Sequence, residues 1–186
     1  MTRPTPAPAE RPPDPPTARP PGGRALPCGM PVLGVPELQQ FLVAAFPANP
    51  PDYVVEAIEE GTVRLRLPVG EVHGRPGGTV SGPTLMALAD CTAYLAVVGH
   101  IGPVALAVTT SLHIDFLRKL PLSDVIADGA LLKLGRRLAV VEVALRSEAA
   151  GDLVAKAQVT YSIPPGASPD GLPTPPASGG SPGARR

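Results

Sequence analysis

A chain of 186 residues with 44% hydrophobic residues, 3% aromatics and no Trp is sized for one domain, with a core built from Val, Leu, Ile and Ala. A formal net charge of +0 offers no cationic footprint for nucleic acid or for a polybasic membrane contact. Its two cysteines, Cys28 and Cys91, form neither a CxxC pair nor a metal-ligand spacing, so no disulfide, zinc or other cofactor is expected, and Cys91 reads as a small buried apolar residue.

The N-terminus, MTRPTPAPAERPPDPP, has no apolar h-region, so a reducing, cytoplasmic location is expected rather than secretion. Most of the 27 prolines lie at the two ends. They divide the chain into a leader (1–35), a folded domain (36–163) and a Pro/Gly/Ser-rich tail (164–186). Leader and tail cannot bury enough apolar surface to offset the entropy of ordering, and disorder with polyproline II character is expected of both.

The domain opens with PELQQFLVAAF, Pro36 to Phe46, where Leu38, Phe41, Leu42 and Ala45 recur at helical spacing. Tyr53 to Glu59 and Thr62 to Val69 follow as strands; the second alternates strictly, and Glu60-Gly61 marks the turn between them. A Gly-rich loop, HGRPGGTVSG, runs from His73 to Gly82 into PTLMALADCTAYLAVVGH. Pro83 suits the first turn of a helix, and Gly99 and Pro103 close it. The helix is apolar nearly all round, hence buried or membrane-spanning. The buried reading is taken because the run is short for a bilayer, carries Asp90 near its middle and lacks flanking cations.

Four strand-like runs complete the domain: Ala105 to Leu117, Val125 to Leu134, Leu138 to Arg146 and Leu153 to Ile163. The short separators at Pro121, Gly135 and Ala150-Gly151 predict antiparallel neighbours. In SLHIDFLRKL, alternation puts Ser111, His113 and Asp115 on one face and Leu112, Ile114 and Phe116 on the other. His100 closes the central helix, where a cation is favourable. The expected fold is α+β: one antiparallel sheet of about six strands curled around one long helix, or a sheet and helix covered by a second subunit.

That arrangement resembles the hotdog fold, and the loop–helix junction is similar to that of the PaaI-like hotdog acyl-CoA thioesterases. Their pattern, H-x-N-x-x-G-T-x-H-G-G with a helical L-x-D shortly after, aligns without a gap on His73-Gly74-Arg75-Pro76-Gly77-Gly78-Thr79-Val80-Ser81-Gly82-Pro83 and Leu88-Ala89-Asp90. The resemblance covers Tyr53 to Ile163. His73, Gly78, Thr79 and Gly82 match the motif. Arg75 stands where the family has Asn, and Ser81 where it has His.

The resemblance implies an acyl-CoA thioesterase acting on a small-molecule acyl-CoA. It puts Asp90 on the catalytic carboxylate and Thr109 on a Ser/Thr that helps hold the attacking water. It also implies a homodimer joined sheet edge to sheet edge, or a dimer of such dimers, with Gly82 from one chain and Asp90 from the other in each site. The residues agree with this chemistry. A carboxylate within LMALADCTAYLAV is costly to bury without partners, so Asp90 is the candidate general base or nucleophile. The unpaired N–H groups of a helix start carry partial positive charge. Pro83 has no N–H, which leaves the Gly82 N–H as the donor to a developing oxyanion. His73 is a candidate acid or ligand carrier, and Arg75 and Ser81 are candidate substrate contacts. Arg118, Arg136 and Arg137 are candidate partners of the coenzyme A phosphates. Rival readings are a non-catalytic acyl-CoA-binding sensor, an acyl-thioester dehydratase and an assembly protein with interaction tails. The dehydratase ranks low because the helix carries no His ahead of Asp90.

Overall fold

The computed structural model describes residues 29–48 and 51–165; the disorder and polyproline II character expected of the leader and tail concern segments that lie mostly outside the described residues. Helix α1 spans Val35–Ala45 and buries Leu38, Phe41 and Leu42, the face that helical spacing predicts. Strands β1 (Val54–Glu59) and β2 (Thr62–Leu67) form a hairpin. Its turn places Gly61 at φ 67, in the left-handed region that glycine adopts without strain. Val63, Leu65 and Leu67 point inward and alternate with half-buried polar residues.

The Gly-rich segment is more ordered than the loop expected from its composition. A 3-10 turn at Glu71–His73 leads into a small hairpin of β3 (Gly74–Arg75) and β4 (Thr79–Val80). Gly77 and Gly78, at φ 98 and 69, turn its corner. Helix α2 (Gly82–Ile101) follows and is long and apolar enough to cross a membrane by composition. Most of it is instead buried within the protein, from Leu85 and Leu88 to Val97 and Val98, while Met86 and Ala87 are exposed.

The remaining strands are β5 (Val108–Phe116), β6 (Val125–Leu134), β7 (Leu138–Ser147) and β8 (Leu153–Ser162). The six long strands make one antiparallel sheet in the order β1-β2-β6-β7-β8-β5. Chain order misleads at one point. The short separator at Pro121 predicts that β5 and β6 are neighbours, but β5 pairs with β8 at the sheet edge. The connection between them crosses two intervening strands and is tied down on its way: Val80 N–H donates to Leu120 O at 2.9 Å, and Thr79 bridges to Pro121. Three strand spacings amount to about 14 Å, within reach of so short a connection.

Helix α2 lies against β2, β5, β6, β7 and β8. Close approach to β6 depends on Gly129, where a Cβ would stand 3.0 Å from Thr92 Cγ2 and 3.1 Å from Val63 Cγ1. At the far end of α2, His100 is buried rather than presented as a helix-end cation. Its Nε2 accepts from the Gly61 N–H at 2.9 Å, and its Nδ1 lies 2.7 Å from Ala96 O, a pair of bonds satisfied by a neutral ring protonated at Nδ1. Val32 and Leu33, in the stretch assigned to the leader by proline content, donate their N–H groups to Gly99 O.

Candidate functional site

Asp90 sits in the middle of α2, half-buried, on the wall of a cavity of about 490 Å³. The cavity is lined by Phe46, Tyr53, Ala87, Cys91, Tyr94 and Ala107, among other apolar groups, and by Thr109 and Tyr161. Its size falls in the range of small-molecule pockets, and no Lys, Arg or His among the described residues lines it.

Two hydroxyls converge on one oxygen of the carboxylate. Thr109 Oγ1 donates to Asp90 Oδ1 at 2.8 Å, and Tyr161 Oη donates to the same oxygen at 2.8 Å. Tyr161 Oη also lies 3.1 Å from Asp90 O. Thr109 and Tyr161 are direct cross-strand partners of β5 and β8. A bulge between Thr109 and Ser111 makes this possible. Leu112 and Ile114 share the inner phase of β5, and strict alternation would bring Thr110 to that face and turn Thr109 away. The extra residue shifts the phase, as bulges do, and aims Thr109 at the helix.

Burial pushes Tyr53 and Tyr94 up to about 12, helped at Tyr53 by the charges of Cys91, Asp52 and Asp90 and at Tyr94 by that of Cys91. Burial also raises Tyr161, with the adjacent Asp90 carboxylate adding to it, so its hydroxyl stays a donor. Cys91 is likewise pushed up to about 12, first by burial and then by Asp90. A thiol so shifted is not a nucleophile at neutral pH.

The other candidates gather elsewhere. A second hollow of about 400 Å³ is lined by Arg75, Thr79, Gly82, Phe116, Arg118 and Lys119, among others. Ser81 is the N-cap of α2: its Oγ accepts from the Thr84 N–H at 3.3 Å and lies 2.8 Å from Thr84 Oγ1. The first-turn N–H of Gly82 has no acceptor among the described residues. Arg75 Nε donates to Thr79 Oγ1 at 2.9 Å across the small hairpin. Arg118 Nη1 donates to Leu153 O at 2.9 Å. His73 Nδ1 accepts from the Gly70 N–H at 2.9 Å, while its carbonyl receives the Ser81 N–H and the Thr84 hydroxyl. His73 therefore anchors the start of α2 and does not line the Asp90 cavity.

Asp90 lies eight residues beyond Gly82 on α2, about 12 Å along the helix axis. One chain thus brings Asp90 together with Thr109, and Gly82 together with Arg75 and Arg118, as two separate groups. Arg136 and Arg137 are exposed at the β6–β7 turn. The register of Leu138 and Val108 with Ser162 puts that turn at the end of the sheet where β5 begins, whereas Arg118 follows the other end of β5. Sequence reasoning missed Tyr161. The available signal was its inward phase in β8, in a chain with only three tyrosines.

The family model described as the thioesterase superfamily matches residues 77–160. A provisionally named esterase from Thermoplasma acidophilum is 30% identical over 112 residues, 60% of this chain and 83% of its own. A provisionally named thioesterase from Silicibacter sp. TM1040 superposes with a TM-score of 0.68 at 44% identity, covering 73% of this chain and 94% of that one. The phenylacetic acid degradation protein PaaI of Thermus thermophilus, solved as a point mutant, superposes with a TM-score of 0.53 at 30% identity, over 60% of this chain and 93% of its own.

Proposed function

The chain belongs to the thioesterase superfamily, with the hotdog fold of its PaaI-like members and thioester hydrolase activity, and on that footing we propose that it hydrolyses an acyl-CoA to free acid and coenzyme A with Asp90 as general base or nucleophile. The observation that carries the reading is a carboxylate at the wall of an apolar cavity with one oxygen held by two hydroxyls. As general base, Asp90 takes a proton from water while the water oxygen bonds to the thioester carbon; the C–S bond then breaks and the thiolate leaves. As nucleophile, an Asp90 oxygen bonds to the thioester carbon, the C–S bond breaks and the thiolate leaves, and water then cleaves the resulting mixed anhydride to the free acid and the Asp90 carboxylate.

The Gly82 N–H is the proposed donor to the carbonyl oxygen as negative charge develops there. The separation along α2 prevents Gly82 from serving its own Asp90, so the site is proposed to form between two chains, Gly82 from one and Asp90 from the other. The edge strand β5 supports this. Its flank is only half-covered, with Val108 57% and Phe116 50% exposed, and an unpaired edge gains from a partner. Arg75 and Arg118 of one chain, with Arg136 and Arg137 of the other, are the proposed contacts of the nucleotide end, since antiparallel pairing of two β5 edges brings the start of one beside the end of its partner. A cytoplasmic setting, where coenzyme A thioesters are found, belongs to the same proposal.

The test is thiol release from short, medium, long and aromatic acyl-CoAs, with Asp90→Asn beside wild type. Release by wild type and its loss in a folded Asp90→Asn protein of unchanged oligomeric state is expected. Near-normal turnover in the variant removes Asp90 from the chemistry. Acyl-CoA binding by wild type without release would make the chain a sensor.

A further inference from the structure

The two oxygens of Asp90 are chemically equivalent in an isolated carboxylate, yet their surroundings here treat them differently. Both hydroxyl donors, Thr109 Oγ1 and Tyr161 Oη, reach Oδ1 at 2.8 Å, and Oδ2 has no protein partner among the described residues. Tyr161 is the more constrained donor. It is 3% exposed, and its ring stacks on Tyr94 with centroids 5.8 Å apart and planes at 28°. Tyr94 in turn meets Phe41 at 5.8 Å and Phe46 at 6.4 Å. An aromatic column running back to α1 therefore fixes where the Tyr161 hydroxyl can be, and a buried tyrosine hydroxyl needs a partner.

We infer that Tyr161 is a positioning residue for the hydrolysis: with Thr109 it pins Oδ1 and leaves Oδ2 as the oxygen that takes the proton or attacks the carbonyl. The inference rests on the reading of Asp90 as the reacting carboxylate and adds which oxygen reacts and what holds it. Without such donors the carboxylate would rotate about its terminal bond, and the reactive lone pair would be aimed only part of the time. Two donors on one oxygen remove that freedom.

Tyr161→Phe keeps the ring and its stacking and removes only the hydroxyl. Hydrogen bonds to charged groups are among the stronger ones, and losing this one is expected to lower kcat by roughly ten- to a hundredfold with KM near the wild-type value. Thr109→Val, which removes the other donor from the sheet edge, is expected to lower kcat in the same way, again with KM near the wild-type value.

A Tyr161→Phe protein whose kcat matches wild type overturns the inference, and so does one that loses only thermal stability. Should Tyr161→Phe fail to fold, an unchanged kcat in Thr109→Val overturns it instead. The parent reading fails separately, by absence of thiol release from wild type or by turnover in Asp90→Asn, and takes this inference with it.

Discussion

Gly82 sits where one atom can be tested with little disturbance. Ser81, the preceding residue, is extended at φ −77 and ψ 150, the conformation that a following proline requires. A Cβ at Gly82 would meet Phe116 at no less than 3.5 Å, and the first position of a helix tolerates proline well. Gly82→Pro therefore removes the N–H without a clash at Cβ. If that N–H stabilises the oxyanion, kcat in the thiol-release assay should fall by about a hundredfold or more, with thermal unfolding unchanged; retained kcat would assign the polarising role to another group. At this scale the sequence was readable wherever a residue broke a local pattern. Asp90 stood out because a carboxylate interrupts an apolar helix, and Gly82 because Pro83 leaves it the nearest donor. Tyr161 was not readable, because an inward aromatic in an alternating strand looks like packing until its hydroxyl partner is known. Thr109 was reached only through family resemblance: the alternation along β5 turns it outward, and a bulge that no residue type announces turns it back.

The elements were largely predictable because their periods are strong. α1, β2, β6, β7 and β8 lie within a residue or two of the spans expected from periodicity, as buried faces impose either the helical or the strand repeat. The place of β5 was not predictable. Local spacing encodes which strands are joined by short turns, but the edge position of β5 is set by long-range pairing with β8, whose inner face continues the surface that covers α2. The same close fit makes α2 sensitive to volume on β6. Val63 and Thr92 leave no room for a branched side chain at Gly129, and overpacking of this kind costs about 2 kcal/mol or more. Gly129→Val should lower the stability measured by chemical denaturation by that amount. The loss should extend to thiol release, because a displaced α2 carries Asp90 with it. A variant as stable as wild type would mean that helix and sheet are less tightly seated than the 3.0 Å and 3.1 Å approaches imply.

At the scale of the whole molecule, the distance between Gly82 and Asp90 within one chain becomes a statement about assembly. A twofold dimer with shared sites contains two of them, each combining Gly82 of one protomer with Asp90 of the other. Asp90→Asn chains and Gly82→Pro chains are each expected to be inactive as homodimers, since every site lacks one of its parts. Mixed by co-expression or by refolding together, they form dimers of which about half are mixed, and in each mixed dimer one of the two sites recovers both parts, so thiol release should return to about a quarter of wild type. No arrangement that confines the chemistry to a single chain produces this recovery, because each mutant would remain defective on its own. Failure to recover, with mixed dimers verified by mass, would require the carbonyl donor to come from the chain that supplies Asp90. The N–H of Gly82, about 12 Å away along α2, could not be that donor.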